Sequence, residues 1–160
     1  MPVFQSRINP NSSKFQANSE HMAAGVRQLR DIEQRVLETA EAKIPVYREK
    51  GYMSPRQRLN LLLDPGAAFL ELYSLAGYMQ GNDKDGSTAG GTCIAGIGYI
   101  DGTRCAVYVD DFLIKGGSIS RFGMEKRKNM QTLALNKKLP LVVLAQSGGG
   151  DLREMGDTFG

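Results

Sequence analysis

The first half of the chain places apolar residues at the three- and four-residue spacing of amphipathic helices. From Ser19 to Ala42 the apolar side chains recur at this spacing, with Arg and Glu around the remaining face, which predicts a long surface helix. A second, shorter helix is predicted to begin after Ser54, because Ser is a favoured N-cap and Pro55 suits the first helical position. Its leucine-rich side ends at the helix-stopping tripeptide of residues 64–66, Asp-Pro-Gly.

The second half of the chain has the alternation and the short apolar runs that are typical of strands. Thr92–Ile100 and Arg104–Val109 flank an Asp-Gly pair, which is a strong turn signal, and therefore predict a β-hairpin. Met124–Lys138 has the composition of a helix, and Pro140–Ala145 is an apolar run typical of a buried strand. This β-β-α-β order, behind the helices of the first half, predicts an α/β domain.

These patterns divide the chain into three predicted regions. Residues 1–16, rich in Asn, Ser and Pro, are expected to form an irregular arm, and residues 17–66 a helical N-terminal region. Residues 67–160 are expected to form the α/β domain, with a short strand near Phe69–Tyr73. At 160 residues the chain is long enough for one domain with a real core and too short for two large ones.

Composition excludes several classes of protein. Twenty basic and 17 acidic residues give a net charge of only +3, and the two signs are interspersed, which argues against a nucleic-acid surface. No stretch approaches the roughly 18 apolar residues that a membrane helix needs. The N-terminus lacks the apolar core of a secretory signal peptide. We therefore expect no nucleic-acid or membrane partner, and a location in the cytoplasm, or in the mitochondrial matrix if the source is eukaryotic.

The residue types available for catalysis and metal binding are few. His21 is the only histidine, so a histidine-based triad or a multi-histidine metal site is nearly excluded within this chain. Without a secretory signal, Cys93 and Cys105 are expected to be reduced, packed thiols. Asp110 and Asp111 lack a third carboxylate at a ligand spacing, and they are interpreted as a solvated strand end. The sequence thus predicts no metal site.

Two glycine clusters and one basic run remain as candidate chemistry. Ser147–Gly150 follows the last apolar strand, where glycine N–H groups could stabilise an oxyanion or form only a close-packed turn. This segment has neither the lysine and spacing of a P-loop nor the pattern of a nucleophile elbow. Lys115–Ser118 is compatible with a phosphate-binding turn or a plain turn. The basic residues 126–128 are compatible with an acidic ligand or a solvated helix face.

Taken together, four segments resemble the carboxyltransferase subunits of biotin-dependent acyl-CoA carboxylases. The resemblance follows the chain in order from about residue 51 to 150, which makes it more specific than any one glycine cluster. The segments are RLNLLLDPG at 58–66 followed by FLEL at 69–72, the hairpin with its Asp-Gly turn, AVYVDDFLIKGGSIS at 106–120, and LPLVVLAQSGGG at 139–150.

The resemblance implies a fold, an activity and a set of site residues. The fold would be a crotonase-like β-β-α superhelix, incomplete here and preceded by N-terminal helices. The activity would be transfer of a carboxyl group from carboxybiotin to the α-carbon of an acyl-CoA. By correspondence, the catalytic oxyanion donors would be Gly148 and Gly149. The residues near the CoA would be Gly116, Gly117, Ser118 and Lys126.

The resemblance also implies partners and an incomplete site. Biotin would be carried by a partner protein or domain, with a biotin carboxylase and biotin carrier subunit and a homo-oligomer of the full-length subunit. The family's second crotonase-like half is not in this sequence, so we expect an N-terminal fragment that is inactive in isolation. Asp151 departs from the family pattern at the expected start of the next helix. The alternatives are a non-catalytic CoA-binding or assembly module and the carboxyltransferase subunit of a biotin-dependent decarboxylase.

Overall fold

The computed structural model describes residues 6–151, which form four α-helices, a short 3₁₀ helix at Lys115–Gly117, and a sheet of four strands beside a smaller two-stranded sheet. The helices are α1 (Ser13–Glu41), α2 (Ile44–Glu49), α3 (Pro55–Leu62) and α4 (Arg121–Lys137). The strands are β1 (Leu70–Glu71), β2 (Cys93–Ile100), β3 (Thr103–Asp110), β4 (Ser118–Ile119), β5 (Leu141–Leu144) and β6 (Gly149–Gly150).

The long helix α1 begins earlier than its apolar pattern predicts. Its N-cap is Ser12, whose hydroxyl accepts the Phe15 amide at 3.2 Å, so the helix extends into the predicted irregular arm. The apolar pattern missed this turn because its residues are exposed and carry no periodic signal. Near the other end of the helix, Ala40 is buried against the segment that follows β3. The predicted division at residues 16 and 66 stays a prediction.

Helix α3 begins as the sequence predicts. Ser54 is the N-cap and Gln57 completes a capping box, with Pro55 in the first turn. The helix ends at Leu62, and the carboxylate of Asp64 then accepts the amides of Asp101 and Gly102 at 2.6 and 2.9 Å. The Asp64 side chain therefore ties the end of α3 to the turn of the hairpin.

The predicted hairpin forms the centre of the larger sheet. Strands β2 and β3 pair antiparallel from Cys93↔Asp110 to Ile100↔Thr103, and the sheet order is β1-β2-β3-β5. Strand β5 runs parallel to β3, a pairing that needs a crossover, and α4 supplies it. The expectation that β5 is buried is wrong. Within residues 6–151 it pairs only with β3, and it is half-buried.

Each face of the sheet packs against a different helix. One face carries Ala95, Ala106 and Tyr108 and packs on Met130 and Ala134 of α4. The opposite face carries Ile94, Cys105, Val107 and Val109 and packs on Leu59 of α3. Both layers hold the carboxyl ends of β3 and β5 in place, and the two glycine turns begin there.

The two cysteines are free thiols buried in the sheet. Cys93 pairs in register with Asp110 and Cys105 with Gly98, so the two residues lie toward opposite ends of the hairpin. Burial raises the pKa of the Cys93 thiol, which keeps it protonated. In the described part of the chain no helix combines the length and the apolar character needed to cross a membrane.

Candidate active site

The structure brings the two glycine clusters together in one small sheet. Strand β4 follows directly after Gly117, and it pairs in parallel with β6 in the register Ser118↔Gly149 and Ile119↔Gly150. The amide of Gly148 donates to the carbonyl of Gly117 at 2.9 Å. Two segments about 30 residues apart in sequence therefore form one backbone surface.

This pairing depends on the absence of side chains where the turns touch. A Cβ atom at Gly148 would lie 2.5 Å from the Gly116 carbonyl oxygen. At Gly117 a Cβ would lie 3.2 Å from the Gln146 carbonyl oxygen, and the backbone there has φ +72°, a conformation that favours glycine. Close backbone contact thus explains both glycines, whatever ligand the surface binds.

The two predicted oxyanion donors, Gly148 and Gly149, have different surroundings. The Gly148 N–H is bonded within the sheet to Gly117, so it holds the turns together. Both residues are exposed, but Gly149 has φ +94° and open space beside its Cα, and its N–H donates to the hydroxyl oxygen of the exposed Ser147 at a longer distance of 3.3 Å. Gly149 therefore has the more accessible position for a developing negative charge.

The four residues predicted near the CoA separate into two groups. Gly116, Gly117 and Ser118 lie at the edge of β4, next to the β6 turn. The Ser118 hydroxyl oxygen is a buried atom without a hydrogen-bond partner among residues 6–151. Such an atom is normally paired in a folded protein, and here it lies beside the glycine turns.

Lys126 belongs to the second group. The alternative of a solvated helix face is wrong for this residue, which is only 2% exposed. Its ammonium donates to the carbonyls of Gly90 at 3.0 Å and Cys93 at 2.7 Å, and burial lowers its pKa. Lys128 remains exposed. A buried ammonium bonded to two carbonyls is not placed for direct contact with CoA.

A chain of polar contacts, which sequence reasoning missed, supports the β6 turn. The Gln146 amide donates to the Asp110 carboxylate at 2.9 Å, and the Gln146 side-chain oxygen accepts from the Arg58 guanidinium at 2.7 Å. Asp110 is 3% exposed, so the interpretation of Asp110 and Asp111 as a solvated strand end is wrong. The missed signal is Arg58 in the first resembling segment, 88 residues from its partner.

Asp111 uses one oxygen to accept the Leu113 amide at 3.0 Å. Burial raises the pKa of its carboxyl, against the lowering influence of the Leu113 N–H and of the Arg56 and Lys43 charges. An acid whose folded pKa exceeds its unfolded pKa binds more protons when folded. The free energy of unfolding therefore falls as the pH rises from the unfolded to the folded pKa.

We expect Asp111→Asn to unfold at higher urea concentration than the native chain at pH 7. The amide keeps an oxygen for Leu113 and cannot ionise, so the advantage should disappear below about pH 4, where aspartate is protonated in the unfolded chain. Urea titrations at both pH values, with the exposed Asp31→Asn as control, measure this. An equal advantage at both pH values would contradict the assignment.

A cavity of about 540 Å³ lies between α1 and the β1–β2 side of the sheet. Its charged lining consists largely of pairs, Arg30 with Glu33 at 2.6 Å and Arg56 with Glu71 at 2.9 Å. Sequence reasoning did not find this cavity, because its walls come from elements far apart in the chain. Within residues 6–151, no three His, Cys, Asp or Glu side chains cluster closely enough to hold a metal ion.

Comparisons with known proteins agree with this architecture. Among solved structures, the β subunit of geranyl-CoA carboxylase from P. aeruginosa superimposes with a TM-score of 0.82 at 47% identity, covering 94% of this chain and 28% of that one. The transcarboxylase 12S core, with methylmalonyl-coenzyme A and methylmalonic acid bound, has a TM-score of 0.74 at 26% identity, covering 86% and 27%. The predicted incomplete crotonase-like α/β fold behind N-terminal helices is confirmed.

The sequence comparisons point the same way. The probable mitochondrial methylcrotonoyl-CoA carboxylase β chain of Drosophila melanogaster is 35% identical over 159 residues, which is 98% of this chain and 27% of that protein. The chain thus spans about a quarter of the length of the curated relatives that it matches. The model of the carboxyl transferase domain matches residues 46–159. This chain therefore belongs to the carboxyl transferase domain family.

Proposed function

We propose that this chain is part of a carboxyltransferase that moves a carboxyl group from carboxybiotin to an acyl-CoA, and that it carries the acyl-CoA side of the site. The observation that carries this proposal is the pairing of β4 with β6, which exposes the backbone of Gly149 beside Ser118. Family membership supports the same activity. When bound, carboxybiotin supplies the carboxyl group.

The chemistry asks for stabilisation of a thioester enolate. The α-carbon would lose its proton, which moves negative charge to the thioester oxygen. That carbon would then bond to the carboxyl carbon while the bond between the carboxyl carbon and the biotin ring nitrogen breaks, and the freed nitrogen would accept the proton. Backbone N–H groups held in place beforehand stabilise such charge without reorganising. We assign this role to the Gly148–Gly149 turn: the Gly149 N–H exchanges its bond to the Ser147 hydroxyl for one to the thioester oxygen, and Gly148 holds the turn in place.

The CoA is proposed to lie along the edge of β4. Gly116 has open space beside its Cα, and the backbone of Ser118 continues the same edge toward the β6 turn. Lys126 does not contact CoA directly; it is buried and holds the backbone by donating to the carbonyls of Gly90 and Cys93. Because this chain spans about a quarter of the length of its relatives, we assign the groups that hold biotin to other residues of the complete subunit or to its partner.

The relatives suggest a narrower class of acyl group. The names of two similar proteins contain methylcrotonoyl-CoA and geranyl-CoA, and both thioesters contain a 3-methyl-2-enoyl group. In such a thioester the α-carbon is part of the double bond, so the proton is lost from the γ-carbon, which is attached to the far end of that double bond. The negative charge still reaches the thioester oxygen. The same Gly149 donor therefore serves carboxylation at either carbon.

The partners and the cellular compartment of this chain are also proposals. A biotin carrier and a biotin carboxylase would act with this chain, in an oligomer of the complete subunit, as the names of its carboxylase β-subunit relatives suggest. The location stays the predicted cytoplasm or mitochondrial matrix. A non-catalytic CoA-binding or assembly module and a biotin-dependent decarboxylase remain the alternatives.

The proposal is tested on the complete natural subunit with its biotin-carrying partner. We expect radioactivity from labelled bicarbonate to enter 3-methylcrotonyl-CoA or geranyl-CoA faster than propionyl-CoA. Faster transfer to propionyl-CoA would contradict the 3-methyl-2-enoyl assignment but would support the proposed carboxyltransferase activity. Saturable CoA binding by calorimetry without transfer to any of the three thioesters would favour the non-catalytic module. Carboxyl loss from a carboxylated acyl-CoA without the forward reaction would favour the decarboxylase.

A further inference from the structure

A strained loop lies between the polar glycine-rich segment and β2. Three successive residues, Gly90, Gly91 and Thr92, have φ values of +95°, +65° and +60°. Glycine adopts these values without cost, but a β-branched residue in the left-handed region is an outlier. Such conformations persist only where the surrounding structure holds them, and they concentrate at functional sites. The left-handed backbone conformation of Thr92 must therefore be stabilised by its surroundings.

The buried ammonium of Lys126 holds this loop from below. It bonds to the carbonyl of Gly90 on one side of Thr92 and to the carbonyl of Cys93 on the other. The Thr92 carbonyl in turn accepts the Asp111 amide at 2.9 Å. Thr92 is 6% exposed, so its side chain has little freedom. These contacts fix the direction of its hydroxyl.

That hydroxyl points to the candidate site. Its oxygen lies 2.8 Å from the Ser118 carbonyl oxygen and 2.7 Å from the Gly91 carbonyl oxygen, so one proton is shared between two acceptors. Ser118 is the first residue of β4, which pairs with the glycine turn of β6. The hydroxyl therefore connects the α4–β2 layer to the strand that carries the proposed CoA edge.

We propose that Thr92 is a positioning residue, whose hydroxyl holds β4, and with it the β4–β6 glycine surface, in the geometry of the site. Its strained backbone, fixed by Lys126, directs the hydroxyl toward Ser118. The kinetic consequence rests on the proposed function, whereas the structural consequence does not.

The structural consequence is tested by hydrogen exchange in the complete subunit. The reporters are the Gly148 and Asp151 amides, which donate to Gly117 and to Ile119 of β4. Thr92→Gly relieves the backbone strain while removing the hydroxyl, and Thr92→Ser keeps the hydroxyl. We expect about tenfold faster exchange at both reporters in Thr92→Gly and native rates in Thr92→Ser. The Leu139 amide, bonded to Ala134, is the internal reference.

The kinetic consequence is tested with the same variants in the assembled carboxylase. Loss of positioning should lower kcat about tenfold in Thr92→Gly, whereas Thr92→Ser should keep native kcat. Thr103→Ser, at an exposed position in β3, is the control. Native exchange and native kcat in Thr92→Gly would overturn the positioning role. If exchange is faster in Thr92→Gly but the native subunit transfers no carboxyl group, the positioning role of Thr92 is supported and the proposed function is contradicted.

Discussion

Replacing Gly148 by alanine is expected to lower kcat/KM for carboxyl transfer about a hundredfold or more in the complete enzyme. The new Cβ would lie 2.5 Å from the Gly116 carbonyl oxygen, so the two turns must separate and the Gly149 amide must move. Loss of one oxyanion donor typically costs about 10²–10³ in kcat. Steady-state kinetics with each acyl-CoA measures the effect, and circular dichroism checks that the fold is retained.

Gly150→Ala is the matched control, two residues away in the same turn. A Cβ there meets nothing within 4 Å, and its φ lies outside the left-handed range, so nearly native kinetics are expected. Native activity in Gly148→Ala would remove the oxyanion assignment. Equal losses in both variants would show that the segment tolerates no side chain at all, and would remove the specific role of the Gly148 contact.

Replacing Met130 by alanine is expected to lower the free energy of unfolding by about 2–5 kcal/mol. Met130 is fully buried where α4 meets the sheet, among Ala95, Ala106 and Tyr108. The truncation leaves a cavity lined in part by the small side chains of Ala95, Ala106 and Ala134, which cannot extend into it, so collapse around the site is limited. Urea titration of the complete subunit, followed by far-ultraviolet circular dichroism, measures the change.

Leu135→Ala is the control on the same helix. Leu135 is 79% exposed, so its truncation should change the free energy of unfolding by no more than about 0.5 kcal/mol. If the two variants unfold at the same urea concentration, α4 does not pack on the sheet as described. The order of these two effects thus tests which face of α4 is buried.

Local signals predicted most of the elements correctly. The N-cap at Ser54, the Asp-Gly turn of the hairpin and the helix before β5 each depend on residues within a few positions of one another. Short-range sterics and hydrogen bonds decide such features, so they can be read along the chain. The exact ends of the helices are harder to predict, as at Ser13 in α1, because exposed helical turns show no periodic apolar pattern.

Charged residues were predicted less well than apolar ones. The sequence predicts a solvated Asp110 and offers a solvated helix face as one alternative for Lys126, whereas the structure buries both side chains. A charged group can be buried without a large energetic cost only when it forms hydrogen bonds inside the protein. Lys126 bonds to the carbonyls of Gly90 and Cys93, and Asp110 accepts the amide of Gln146. Those partners lie 33 to 36 positions away in the chain, so no window around a charged residue reveals them.

The sequence by itself determined the α/β class, the hairpin, the two glycine clusters and the resemblance to carboxyltransferases. Only the tertiary structure decided that the clusters pair as β4 and β6, that Gly148 touches Gly116, and that Thr92 reaches Ser118. The reason is physical. Helix caps and turns are satisfied by neighbours in the chain, whereas these contacts exist only after α4 and α3 have packed on the two faces of the sheet.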